Sequence, residues 1–107
     1  MANIVISQAD NGKTLSLHVG ESVTLRLPEK VTAGYQWVVD QIDTNKVSYT
    51  KQRDATSPQR PGGEQFCTFT FMVKEAGTVS IALKHWRPWE GDTSITARYT
   101  FILNIYK

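Results

Sequence analysis

Apolar and polar residues alternate with a period of two along almost the whole chain, and no segment has a convincing helical period. The longest alternating segment runs from Ile95 to Ile105. Other such segments lie at residues 4–6, 15–19, 23–27, 35–39, 47–51, 67–73 and 79–83. Because each segment would place its apolar side chains on one face, the pattern predicts an all-β fold. Trp37 is the best candidate for a central core aromatic. We expect an immunoglobulin-like antiparallel β-sandwich of seven or eight strands.

Three of the intervening segments are expected to lie at the same end of this sandwich. They are the first loop (residues 28–34), the second loop (residues 54–64) and the third loop (residues 86–93). Two strands separate each of these loops from the next, and alternate connections of a sandwich lie at the same end. A rigid scaffold that presents several loops together is typical of a binding protein.

Length and charge narrow the class of protein. The chain of 107 residues is expected to form a single domain over residues 1–107. A formal net charge of +2 is too small to indicate a nucleic-acid or membrane partner. The sequence has no apolar run of membrane-spanning length and no signal peptide at its N-terminus. This favours the cytoplasm or an intracellular vesicle, whereas a signal removed from the chain would imply a secreted or periplasmic protein.

The residues that catalysis or metal binding would need are scarce. Cys67 is the single cysteine, and it lies on the apolar face of its predicted strand, where a structural role is expected. A thiol enzyme would need Cys67 to be activated by a neighbouring group such as His85. The two histidines and one cysteine do not have the spacing of a metal site. We therefore predict that the protein is not an enzyme and needs no cofactor or metal.

The third loop contains the residues most typical of a binding surface. It reads Trp86-Arg87-Pro88-Trp89, and Pro88 should stiffen it by fixing its own φ and favouring an extended Arg87. Trp and Arg are enriched at binding hot spots. The alternative is that one Trp covers the core and Arg87 lies over it. On its own, this stretch indicates binding without identifying the partner.

The first loop supplies a second motif, and together the loops resemble those of the chagasin-type inhibitors of papain-like cysteine peptidases. The family pattern is Asn-Pro-Thr-Thr-Gly-Tyr/Phe-x-Trp, then a Gly-rich loop, then Arg-Pro-Trp. The matching segments here are Thr32-Ala33-Gly34-Tyr35-Gln36-Trp37, Gly62-Gly63 and Arg87-Pro88-Trp89. The chain departs from the pattern at Lys30 and Val31, where Asn-Pro is usual, and at Ala33, which replaces the second Thr.

The resemblance implies a reversible inhibitor that blocks access to the active-site cleft of a cathepsin L-like enzyme. Residues 32–34 would enter the cleft near the catalytic cysteine, and the second and third loops would contact its walls. The residues that the resemblance implies in binding are Thr32, Ala33, Gly34, Tyr35, Gly62, Gly63, Arg87, Pro88 and Trp89. It implies no cofactor, and we expect a monomer.

A non-inhibitory immunoglobulin-like module that binds carbohydrate or protein is the main alternative, since sandwiches support many unrelated functions. Such a module has no need for both motifs together. The pairing of Gly-Tyr-x-Trp with Arg-Pro-Trp therefore favours the inhibitor.

Overall fold

The computed structural model describes residues 3–53 and 65–107, with Thr32 described in its backbone only. In this part of the chain, eight strands form two four-stranded sheets, with strand orders β1-β3-β6-β5 and β2-β8-β7-β4. The strands are β1 (Asn3–Ile6), β2 (Thr14–His18), β3 (Ser22–Glu29), β4 (Gln36–Gln41), β5 (Val47–Arg53), β6 (Gln65–Val73), β7 (Gly77–Trp86) and β8 (Ala97–Tyr106). Short 3₁₀ turns cover Gln8–Asp10, Val31–Ala33 and Pro88–Ser94. The predicted β-sandwich is confirmed.

The pairing within the sheets refines the predicted antiparallel arrangement. The β3–β6, β5–β6, β4–β7 and β7–β8 pairs are antiparallel. The two N-terminal strands instead pair in parallel, β1 with β3 and β2 with β8. The chain crosses from one sheet to the other through the 3₁₀ turn Gln8–Asp10, so β1 and β2 each become an edge strand of a different sheet.

The core lies between the two sheets and is built by the alternation seen in the sequence. Phe71 of β6 and Phe101 of β8 meet edge to face across the sandwich, with ring centroids 5.4 Å apart. Trp37 is 3% exposed at the loop end of this core, and Cys67 is completely buried. The predicted structural roles of Trp37 and Cys67 therefore agree with their positions. The other core residues include Val23, Leu25, Leu27, Phe69, Ile81, Leu83, Tyr99 and Leu103.

The strands that border the first and third loops differ in length from the expectation. Strand β3 continues through Pro28, which lies opposite Phe66. Because β1 pairs with β3 only as far as Leu25, β3 is an edge strand at Pro28, a position at which proline is tolerated within a sheet. Strand β7 includes Trp86, and β8 begins at Ala97. The first loop therefore covers residues 30–35 in the structure, and the third loop covers residues 87–96.

No helical segment within the described ranges is long and apolar enough to cross a membrane.

Candidate binding edge at the loop end of the sandwich

The first loop is a compact turn that its own backbone closes. The N–H groups of Ala33 and Tyr35 donate to the carbonyl oxygen of Lys30 at 3.2 and 3.1 Å, and Gly34 N–H donates to Val31 O at 2.9 Å. Gly34 ends the 3₁₀ turn with φ at +85°, in the left-handed region that favours glycine. The turn leaves Ala33 exposed at the tip.

A buried carboxylate joins the two ends of this loop. The Glu29 carboxylate accepts hydrogen bonds from Trp37 N–H at 2.8 Å, Lys51 Nζ at 2.6 Å and Arg53 Nε at 3.1 Å. Trp37 Nε1 donates to the Pro28 carbonyl oxygen at 2.8 Å, and Lys51 Nζ also reaches Trp37 O at 2.8 Å. The strand that enters the first loop and the strand that leaves it are therefore fixed to each other.

The charge of Glu29 is stabilised by these partners. Burial alone would raise the pKa of Glu29, but the hydrogen bonds from Lys51 and Trp37, with the charges of Lys51 and Arg53, hold it below its usual value. The sequence analysis did not identify this network. A signal was present, because Glu29 continues the apolar series Val23, Leu25, Leu27 and so had to lie on the inward face.

The third loop is held by a buried hydroxyl. Ser94 Oγ accepts a hydrogen bond from Arg87 N–H at 2.9 Å, and it lies 2.7 Å from the Gly91 carbonyl oxygen and 3.0 Å from that of Arg87. Ser94 is the buried last residue of the 3₁₀ segment that begins at Pro88. Sequence reasoning missed Ser94, since an isolated serine in a polar loop carries no distinguishing pattern.

Arg87 connects the third loop to the first. Its Nε donates to the Ala33 carbonyl oxygen at 2.8 Å, and its guanidinium lies 4.5 Å from the centre of the Tyr35 ring. Its Nη1 lies 3.2 Å from Glu90 Oε1. The guanidinium thus makes its contacts within the protein, as well as lying at the surface that the two loops share.

Trp89 of the third loop also contacts the first loop. A Cβ atom placed on Gly34 would lie 2.6 Å from Trp89 Cη2 and 2.9 Å from Cζ2, so the indole ring packs directly against the glycine. Trp89 is nevertheless 70% exposed. Among the binding residues expected from the sequence, the structure brings together Ala33, Gly34, Tyr35, Arg87 and Trp89. Pro88 is exposed beside them.

The second loop lies outside the described residues, including Gly62 and Gly63. Its flanking residues are described. Gln65 lies opposite Glu29 in the β3–β6 register, and Arg53 contacts both Glu29 and Gln36 Oε1, the latter at 3.2 Å. The two residues that flank the second loop, Arg53 and Gln65, therefore adjoin the base of the first loop. The side chain of Thr32 is likewise outside the described part of the structure.

Among the described residues, His85 and Cys67 do not form a catalytic pair. Both ring nitrogens of His85 are engaged, Nε2 by Lys30 N–H at 3.3 Å and Nδ1 by Thr96 Oγ1 at 2.8 Å, so neither is available to activate the thiol of Cys67. Among the residues that the structure describes, no group of three or more His, Cys, Asp and Glu side chains is placed to hold a metal ion. What the described part of the site provides is an edge of two hydrogen-bonded loops with a projecting indole.

Comparison with known proteins agrees with this description. The sequence pattern of the chagasin family of peptidase inhibitors, family I42, matches residues 16–105. The chain belongs to this family. Its similarity to chagasin of Trypanosoma cruzi is 31% identity over 105 residues, covering 92% of this chain and 94% of chagasin.

Two solved structures share the fold. A cysteine protease inhibitor from Entamoeba histolytica superimposes with a TM-score of 0.82 at 19% identity, covering 96% of this chain and 95% of the inhibitor. The inhibitor PbICP-C, solved in complex with falcipain-2, gives a TM-score of 0.71 at 17% identity over 97% of this chain and 89% of its own. Their likeness to this chain shows that the chagasin-type sandwich is preserved at low identity.

Membership of the chagasin family confirms the predicted class of function. The protein is an inhibitor of cysteine peptidases and not an enzyme. The thiol-enzyme alternative is thereby removed, and the family match also disfavours a module that binds without inhibiting.

Proposed function

We propose that the protein inhibits a cathepsin L-like enzyme of the papain type, as a monomer formed by one domain over residues 1–107. The first loop would enter the active-site cleft, and the third loop would contact one wall. The observation that carries this proposal is the junction between them: Arg87 binds the Ala33 carbonyl oxygen, and Trp89 packs on Gly34. Two loops that are already joined lose little freedom when they bind together.

The first loop has the shape that a narrow cleft requires. Ala33 is exposed at its tip, and Gly34 has no side chain, so the backbone of a peptidase could approach closely. We assign Thr32, Ala33 and Gly34 to the contact nearest the catalytic cysteine. Tyr35 would act beneath them, because its ring supports the Arg87 guanidinium.

Trp89 is the proposed anchor of the third loop. A largely exposed indole on a stiff turn can bury a large apolar area against a partner without first being ordered. Pro88 fixes the start of the turn on which the indole stands. Arg87 contributes mainly by positioning, since its Nε and guanidinium are already used within the protein.

The second loop is proposed to contact the opposite wall of the cleft through Gly62 and Gly63. The support comes from its flanking residues Arg53 and Gln65, which lie beside Glu29 at the base of the first loop. A wedge of three loops fits a standard interface of about 800 Å² on each partner.

Titration of papain and of a cathepsin L-like peptidase with the purified protein tests the proposal, with a serine peptidase as the control. We expect stoichiometric loss of both cysteine peptidase activities and an unaffected serine enzyme. Light scattering should give the molar mass of a monomer for the free protein. For the complex it should give the molar mass of one inhibitor bound to one enzyme. Inhibition of papain without inhibition of the cathepsin L-like enzyme would contradict the proposed target class.

A further inference from the structure

His85 lies beneath the junction of the first and third loops, and the proposed contact surface does not use it. It is the penultimate residue of β7 and is 5% exposed. Its Nε2 receives the N–H of Lys30, the residue that begins the first loop, at 3.3 Å. Its ring stacks on Tyr35 at 5.3 Å between centroids and lies 5.1 Å from the ring of Trp37.

The hydrogen bonds around the ring select one neutral tautomer. Thr96 Oγ1 lies 3.3 Å from the His85 carbonyl oxygen, to which the hydroxyl can donate, and 2.8 Å from Nδ1. If the hydroxyl donates to the carbonyl, it accepts a hydrogen bond from Nδ1–H. The lone pair of Nε2 is then free to accept Lys30 N–H. Because a neutral imidazole has one donor and one acceptor nitrogen, this arrangement uses both.

We propose that neutral His85 is a positioning residue for the inhibitory edge, holding the start of the first loop against the end of the third, and that its protonation releases the first loop. The effect on inhibition rests on the proposed function, whereas the effect on the loop does not. Protonated His85 has no acceptor, so its Nε2–H would face Lys30 N–H, and two donors would oppose each other in a buried site.

The surroundings of His85 favour the neutral form at neutral pH. Burial lowers the pKa of His85, the Glu29 carboxylate raises it, and the charges of Lys30 and Lys51 lower it again, leaving it below the ordinary value of 6.5. Arg87 lies over the ring of Tyr35, which stacks on His85, and adds a further positive charge nearby. On the same strand, Lys84 is paired with Asp40 and Asp92.

The direction of the pH effect follows from this lowered pKa. The folded protein binds fewer protons at His85 than the unfolded chain does between the folded pKa and 6.5. The stabilisation from neutral His85 is therefore complete above 6.5 and is lost as the pH falls through the folded pKa. Inhibition should weaken over the same range.

The first test measures the inhibition constant as a function of pH for the natural protein and for His85→Gln. Glutamine can accept Lys30 N–H through its side-chain oxygen but does not titrate in this range. The ratio of the two inhibition constants cancels the pH dependence of the peptidase itself. We expect this ratio to change by roughly tenfold as the pH falls from above 6.5 through the folded-state pKa of His85, because the hydrogen bond to neutral His85 is lost.

His18→Gln is the matched control, because His18 is the second of the two histidines in the chain. Its side chain is 66% exposed and lies 3.6 Å from Glu21 at the end of β2. His18→Gln should follow the natural protein at every pH. A constant ratio for His85→Gln, or an equal effect of His18→Gln, would overturn the inference.

The second test uses NMR on the free protein and needs no peptidase. The amide signals of Lys30, Gly34 and Tyr35 should titrate with the ring of His85, and amide exchange at Tyr35 should accelerate as that ring becomes protonated. If this coupling is found in a protein that inhibits no cysteine peptidase, the proposed function fails and the positioning role stands. If the amides of the first loop do not respond to the titration of His85, the positioning role is wrong, whatever the inhibition data show.

Discussion

Gly34 and the indole ring of Trp89 are in direct contact, and the contact leaves no room for a side chain on the glycine. A Cβ atom there would lie 2.6 Å from Trp89 Cη2. Gly34 also has a φ of +85°, so its backbone conformation and its lack of a side chain are both required. The relative position of the first and third loops therefore depends on this glycine as well as on the hydrogen bond from Arg87 to Ala33.

Gly34→Ala should weaken inhibition by moving Trp89 away from the first loop. Gly12→Ala is the matched control, because Gly12 has a φ of +87° but no atom within 4 Å of an added Cβ. Both substitutions should lower the free energy of unfolding by about 1 kcal/mol through backbone strain alone. Only Gly34→Ala should also raise the inhibition constant, which a titration of papain would measure. Equal inhibition constants for the two variants would contradict the role of the contact.

Trp89→Ala should remove the main anchor of the third loop. A hot-spot tryptophan contributes about 2 kcal/mol or more, which corresponds to roughly a thirtyfold higher inhibition constant. Stability should change little, because 70% of the residue is exposed. Tyr106→Ala is the control, since Tyr106 is a 53% exposed aromatic at the opposite end of β8 from the third loop. An unchanged inhibition constant for Trp89→Ala would show that the indole does not contact the peptidase.

The sandwich could be predicted from the sequence because a period of two in apolar residues determines which side chains face inward. That rule placed Trp37 and Cys67 correctly in the core. It could not show that β1 and β2 pair in parallel, since parallel and antiparallel edge strands have the same alternation. Recognition of the Gly-Tyr-x-Trp and Arg-Pro-Trp motifs identified the family, which periodicity alone could not do.

The candidate site was predicted as a set of residues and not as a set of contacts. The motifs named Arg87 and Trp89 as binding residues, but their packing on Ala33 and Gly34 depends on distances across more than fifty residues of chain. The tethers at Glu29, His85 and Ser94 were not identified as a support for the loops. Each is a buried polar side chain whose partner lies on another element or in the backbone, and one sequence does not show such pairings.

Arg87→Lys should distinguish the positioning role of Arg87 from the effect of its positive charge on inhibition. Lysine keeps the positive charge but lacks the planar group that donates to Ala33 O while lying over Tyr35. We expect an inhibition constant about tenfold higher, from the loss of roughly 1.4 kcal/mol of hydrogen bonding and stacking. Glu90→Gln, which removes the exposed partner of Arg87, should change it by less than about threefold. Comparable effects of the two substitutions would mean that the ion pair, and not the junction between the loops, determines binding.

Glu29→Gln should destabilise the protein more than any exposed charge substitution, because it leaves Lys51 and Arg53 without their buried counter-charge. Breaking a buried ion pair costs about 3–5 kcal/mol, and glutamine would retain part of the hydrogen bonding. Since the pKa of Glu29 is lowered below 4.5, its stabilisation is present above that value and is lost as the pH falls through the folded pKa. The difference in unfolding free energy between the natural protein and Glu29→Gln should therefore shrink in acid, as measured by chemical denaturation across pH.

Glu75→Gln is the control, because the Glu75 side chain is 62% exposed and 3.9 Å from Lys46. A difference for Glu29→Gln that does not depend on pH would show that the carboxylate is not held in its charged form.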